Sequence, residues 1–190
     1  MRKTCAIAFL VLVFAIAAAA QIPSGGNIFF GYSYSQGSVF SGSASGGGGM
    51  SGWEASAEGK YLPWIGAVVD FDWHYGGRDF TICLGTSPCS AKRIRFNASR
   101  HAVLFGPRAS VSIGRYTPFA EFLLGVAHQT DSGGGISEAD TTFSTAIGGG
   151  LDYKLVKGLA LRAQGDSIHT SFHGLGQNDL RISTGFVFRF

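Results

Sequence analysis

Charge is scarce in this sequence: only 14% of its 190 residues are Asp, Glu, Lys or Arg, and Lys and Glu are few. A soluble globular domain normally carries about 25%. Long apolar stripes at helical spacing are missing from residues 21–190, so nothing there reads as an extended amphipathic helix. No Gly-x-y period exists, which excludes collagen although 29 residues are glycine. Disorder is excluded by the opposite property, because sixteen Phe and many Val, Ile and Leu supply ample surface to bury. What is present is an aromatic, glycine-rich chain long enough for one domain with a sizeable core.

The one long apolar run stands at the start. Met1-Arg2-Lys3-Thr4 is a short basic segment, residues 5–20 are apolar, and the run ends in Ala18-Ala19-Ala20 before Gln21. This is the pattern of a secretory signal peptide, and the run falls short of the roughly 20 residues that a spanning helix needs. The chain therefore reads as a signal peptide, residues 1–20, followed by one domain, residues 21–190. Removing Arg2 and Lys3 leaves 13 basic against 12 acidic residues, a near-neutral balance that argues against nucleic acid as a partner. Cys83 and Cys89 are the thiols left. In an exported protein such a close pair reads as a disulfide closing a small loop, and two thiols alone make no zinc site.

Residues 21–190 alternate with period two. Eight stretches carry the pattern: 27–34, 52–61, 65–75, 100–111, 117–128, 141–153, 159–169 and 179–190. In the second, Glu54, Glu58 and Lys60 oppose Trp53, Ala55, Ala57 and Tyr61. In the third, Asp70, Asp72 and His74 oppose Val69, Phe71, Trp73 and Tyr75. Further along, Arg100, Arg108, Glu121, Asp152, Arg162, Asp166, Arg181 and Arg189 keep to one face of their strands.

A soluble sandwich alternates as well, with its polar side outward. Three features favour the inverse arrangement, apolar out and polar in. Connections alternate long and short, as in up-and-down transmembrane barrels with short periplasmic turns. Trp53, Tyr61, Trp64, Trp73, Tyr75, Tyr116 and Tyr153 fall at the predicted strand ends, where interfacial aromatic girdles belong. Strands of about 9–11 residues match a tilted bilayer crossing. The predicted fold is all-β, an eight-stranded antiparallel up-and-down transmembrane β-barrel.

The apolar leader, the eight strands and the terminal Leu180-x-Ile182-x-Thr184-x-Phe186-x-Phe188-x-Phe190 resemble the small OmpA-type outer-membrane β-barrels, the outer membrane protein β-barrel domain family, over essentially all of residues 21–190. The resemblance implies a monomer integral to the bacterial outer membrane, in contact with membrane lipid and lipopolysaccharide. The expected departure from full-length OmpA is the lack of a second, peptidoglycan-binding domain, for which residues 21–190 leave no length. It also implies that Phe186, Phe188 and Phe190 serve as the signal read by the outer-membrane assembly machinery.

Eight strands enclose room for side chains and little more, whereas an aqueous channel takes 16–18. The inward acids (Glu54, Glu58, Asp70, Asp72, Glu121, Asp152, Asp166) and inward bases (Lys60, Arg100, Arg108, Arg162, Arg181, Arg189) nearly balance. The interior is therefore expected to be plugged by ion pairs, with Gly148, Gly150 and Gly185 leaving room for the long Arg side chains. The expected function is structural or surface-interacting rather than enzymatic, with no cofactor and no metal. Two alternatives stand beside it. A lipid A deacylase-like hydrolase would use Ser171 as nucleophile and His169 as base, a sensible pairing because the base removes the hydroxyl proton as attack begins; Phe172 replaces the Asn that follows the Ser in that family. The other alternative is a narrow porin-like channel. All five histidines (74, 101, 128, 169 and 173) are placed at or above the extracellular rim, and Lys92, Arg93 and Arg95 form a basic cluster in a long loop.

Overall fold

The computed structural model describes residues 25–41, 44–84, 90–133, 136–172 and 175–190. The predicted signal peptide lies outside them. Eight strands follow one another: β1 (Gly26–Ser41), β2 (Ala44–Leu62), β3 (Ile65–Leu84), β4 (Ser90–Ser110), β5 (Tyr116–Gly133), β6 (Ile136–Val156), β7 (Leu159–Phe172) and β8 (Leu175–Arg189). Each pairs antiparallel with the next, and β8 pairs with β1, so the sheet closes into a barrel of eight strands as the alternation predicts. Closure leaves no sheet edge around the wall, which is what a strand structure needs to cross lipid.

At one end the connections are short. Residues 63–64 join β2 to β3, residues 111–115 join β4 to β5, and residues 157–158 join β6 to β7. Gly114 and Gly158 take positive φ (64° and 83°) in two of these turns, a conformation that costs glycine nothing and other residues strain. The first and last strands meet at the same place, where Gly26 and Phe190 exchange two backbone hydrogen bonds of 3.0 and 3.1 Å.

At the opposite end the strands run well beyond the predicted limits. The segments 35–51 and 76–99, expected as loops, are largely paired ribbon: β1 continues against β2 to Ser41↔Ala44, and β3 against β4 to Leu84↔Ser90. Hydrophobic alternation marks only the stretch of a strand that separates lipid from interior. A ribbon standing clear of both faces pairs through its backbone and needs no such pattern. Trp53 and Trp73 consequently sit opposite each other in mid-strand, not at strand ends.

Outward-facing side chains form an apolar belt that includes Ile28, Phe30, Val69, Phe105, Phe122, Val126, Phe143, Ile147, Leu161, Ile182 and Phe186, all of them exposed. Rings continue around it: Trp53 packs on Phe30 and Phe71, Trp73 on Tyr75 and His101, and His101 stacks on His128 at 5.2 Å. Near the short turns Tyr116 meets Tyr153 at 5.2 Å, with Arg115 over the Tyr153 ring. Ile147 is 64% exposed, about midway between Tyr153 and the upper rings. Replacing it with Arg is expected to cost about 2–4 kcal/mol, the range for a cation facing lipid near the bilayer midplane. A reversible urea titration of protein folded in lipid vesicles measures the loss.

Candidate functional site

The inward residues of the wall make up the candidate site, and they lie in layers. Side chains along a strand alternate between the two faces, so Asp70, Asp72 and His74 of β3 all enter the lumen while Val69, Phe71 and Trp73 face out.

The central layer is built around Arg181 of β8. Its Nη1 lies 2.8 Å from Asp70 Oδ1 and 2.8 Å from Asp72 Oδ2, both on β3 across the lumen. Its Nε donates to Asp166 Oδ2 of β7 at 3.0 Å, and Glu54 Oε2 of β2 is 3.4 Å away. All five side chains are buried. Gln164 turns its amide nitrogen toward Glu54, Glu121 and Asp166 at 2.9–3.1 Å, linking this layer to the next.

Toward the short turns, Arg108 of β4 donates to Glu121 at 2.7 Å and to Glu58 at 3.3 Å. Asn27 also donates to Glu58, at 2.7 Å. Arg162 makes a two-point contact with Asp152, 2.7 and 3.1 Å, and Arg189 reaches the same carboxylate at 2.9 Å. The Phe119 ring carries Arg108 and Arg162 at 4.6 and 4.5 Å, and Phe29 faces Arg162 at 5.0 Å. Lys60 donates to Ser110 at 2.8 Å and remains partly exposed at the mouth. At the ribbon end, Arg100 pairs with Asp179 and donates to Ser35 at 2.9 Å.

These contacts place Glu54, Glu58, Lys60, Asp70, Asp72, Arg100, Arg108, Glu121, Asp152, Arg162, Asp166, Arg181 and Arg189 inside the barrel. Among the described residues, Asp179 adds an eighth acid. It shares the parity of Arg181, two residues on, and that spacing is the signal by which it is legible in the sequence. His74 is also inside, fully buried, rather than at the rim. Its Nδ1 lies 3.1 Å from Asp72 and its Nε2 2.9 Å from Ser33, whose hydroxyl meets Ser183. The array has the order of a hydrolytic Asp–His–Ser set, but each member is 0% exposed and a substrate has no approach to Ser33. Its place is in the packing of the interior.

The lumen is not wholly ionic. Val68, Leu104, Leu123 and Ile168 form a buried aliphatic patch along β3, β4, β5 and β7, and Phe29, Ala160 and Val187 form a second. The inward glycines also differ from expectation in what they accommodate. A Cβ on Gly148 would lie 1.9 Å from Asp166 Oδ1, and one on Gly150 would lie 2.8 Å from the Phe119 ring. These two glycines make room for Asp166, for the Phe119 ring and for the adjacent β7 backbone, where the Ala163 carbonyl oxygen would lie 2.3 Å from a Cβ on Gly150, and not for the arginines.

His169 faces outward and is exposed, with its Nδ1 2.8 Å from the Asn178 amide oxygen. Residues 1–24, Cys89 and His173 lie outside the described residues, as do the side chains of Cys83, Lys92, Arg93, Arg95 and Ser171. The predicted disulfide and the Ser171 nucleophile fall among them.

A closed antiparallel barrel with an apolar exterior, aromatic bands and an ion-paired interior defines an integral membrane β-barrel of the outer-membrane class. The chain belongs to the outer membrane protein beta-barrel domain family, which matches residues 5–190. It is accordingly an integral outer-membrane protein. No curated protein matches the sequence. Solved structures share its fold. Neisserial surface protein A aligns with a TM-score of 0.63 at 12% identity, over 87% of this chain and 97% of its own. Ail, the attachment invasion locus protein of Yersinia pestis, aligns at 0.55 and 16% identity, over 86% and 98%. The N-terminal β-barrel domain of Pseudomonas aeruginosa OprF aligns at 0.50 and 14%, over 90% and 100%.

Proposed function

We propose that the protein is a non-conducting, non-enzymatic outer-membrane barrel that contributes to envelope structure and presents a contact surface outside the cell. The observation that carries this reading is Arg181, which spans the lumen from β8 to two carboxylates on β3 and stands in the path an ion would take. An open selective pore is better served by an excess of one charge sign with water between the walls. The paired ribbons beyond the barrel supply the contact surface. The names of Ail and Neisserial surface protein A speak of attachment and of the cell surface; at 12–16% identity they lend this chain the idea of such a surface and no ligand.

In the same reading, residues 1–20 direct export, and Phe186, Phe188 and Phe190 present the terminal strand to the assembly machinery. The belt sits in lipid and lipopolysaccharide, with the chain acting as a monomer. Purified protein in planar bilayers is expected to give no stable unitary currents. Steady currents that change on Arg162→Ala would overturn the plugged interior and favour the narrow channel.

A further inference from the structure

We propose that the mouth of the barrel beside the short turns is a binding site for a small oxyanion, a carboxylate or a phosphate. A cavity of about 190 Å³ opens there, lined among other residues by Lys60, Arg108, Arg162, Arg189, Glu58 and Asp152. Lys60, Arg108, Arg162 and Arg189 meet Glu58 and Asp152 there, and Arg108 is also held by Glu121, which leaves one more cation than carboxylates. That volume equals roughly six waters at about 30 Å³ each, enough for an ion of a few heavy atoms and too little for a polymer.

Donors and acceptors at this site are both incompletely paired, the buried Glu58 Oε1 and Asn27 Oδ1 having no hydrogen-bond partner. Both Asp152 oxygens are occupied, Oδ1 by Arg162 Nε and Oδ2 by the Nη2 atoms of Arg162 and Arg189. Glu58 Oε2 is shared by Asn27 and Arg108. Its other oxygen, Oε1, has no hydrogen-bond partner and lies 4.0 Å from Lys60 Nζ. Arg162 Nη1, in a residue 1% exposed, has no hydrogen-bond partner. Lys60 Nζ uses one of its three hydrogens on Ser110, and Arg189 uses one nitrogen on Asp152. A buried guanidinium N–H left without an acceptor is costly, and an oxyanion supplies that acceptor with charge assistance.

Access fits the same assignment. The Lys60 and Arg189 side chains are 24% and 29% exposed, so they form a rim that water and a small ion reach, while Arg108 and Arg162 lie deeper. Because the short turns of such barrels face the periplasm, the ligand would come from the periplasmic solute pool. The proposal does not depend on whether the lumen conducts, since the cavity stops short of the Arg181 layer.

Calorimetric titration of the folded full-length chain in neutral detergent, at fixed ionic strength, tests it with inorganic phosphate and with succinate in separate runs. Saturable one-site binding of either ion is expected, weakened at least tenfold by Lys60→Met or Arg189→Met. Binding of phosphate alone, or of succinate alone, supports the site and identifies which chemistry it takes. Both variants must keep the heat-modifiable gel mobility of the parent, and Lys60→Gln serves if Lys60→Met does not fold. Absence of saturable heat with both ions, or binding that all the rim variants leave unchanged, overturns the proposal.

Discussion

Replacing Arg181 with Met is expected to destabilise the barrel by about 3–5 kcal/mol, the range for removing one partner from a buried ionic cluster. The substitution leaves Asp70, Asp72, Asp166 and Glu54 facing one another, with their shared cation gone. The loss comes from the stranded carboxylates and not from the volume of the side chain, since Met fills much of the same space. Adding Asp70→Asn and Asp166→Asn to Arg181→Met should therefore recover a large part of it, giving a non-additive cycle. The midpoint of a urea titration, followed by the heat-modifiable folded band, reads both effects. A midpoint unmoved by Arg181→Met would show that the cluster contributes nothing to stability and would remove the argument for an electrostatic plug.

The seam between β1 and β8 carries the second large expected effect. Gly185 of β8 stands directly opposite Gly31 of β1. A Cβ built on Gly185 would lie 2.3 Å from Gly31 Cα and 2.3 Å from the Phe30 carbonyl oxygen. These are backbone atoms of a paired strand, which cannot swing aside as a flexible side chain can. Gly185→Val is expected to exceed the usual overpacking cost of about 1–3 kcal/mol and to deplete the closed form, because this seam joins the first strand to the last and closes the barrel. Gly165→Ala is the control. It lies on the outer face of β7 with nothing within 4 Å of an added Cβ, and should leave the folded band unchanged. Equal behaviour of the two variants would contradict the close approach at the seam.

Much of this architecture was legible in the sequence because a strand encodes its two faces locally. Glu54, Asp70, Asp72, Asp152 and Arg162 declare their side by parity with their neighbours, and parity survives errors of a few residues in strand limits. The long connections were not legible. Residues 35–41 and 90–99 lie in strands, yet beyond the belt no lipid imposes alternation on them. The fourth and fifth strands alternate least cleanly for a related reason. Leu104 and Leu123 point into the lumen beside Arg108 and Glu121, since part of this interior is filled by hydrocarbon.

The class of the fold, the faces of the strands and the polar character of much of the interior are written locally along the chain, since all follow from the two-residue period of extended backbone. Which charges meet was decided by the tertiary structure. Arg181 and Asp70 are 111 residues apart and come within 2.8 Å because eight strands close with one stagger. Strand register sets His74 directly beside Arg100 inside the barrel instead of at the rim, and places Asp166 and Phe119 against Gly148 and Gly150. It also gathers Lys60, Arg108, Arg162 and Arg189 around one mouth. Parity is a property of neighbours along a strand; the partners across a lumen depend on the register of every strand between them.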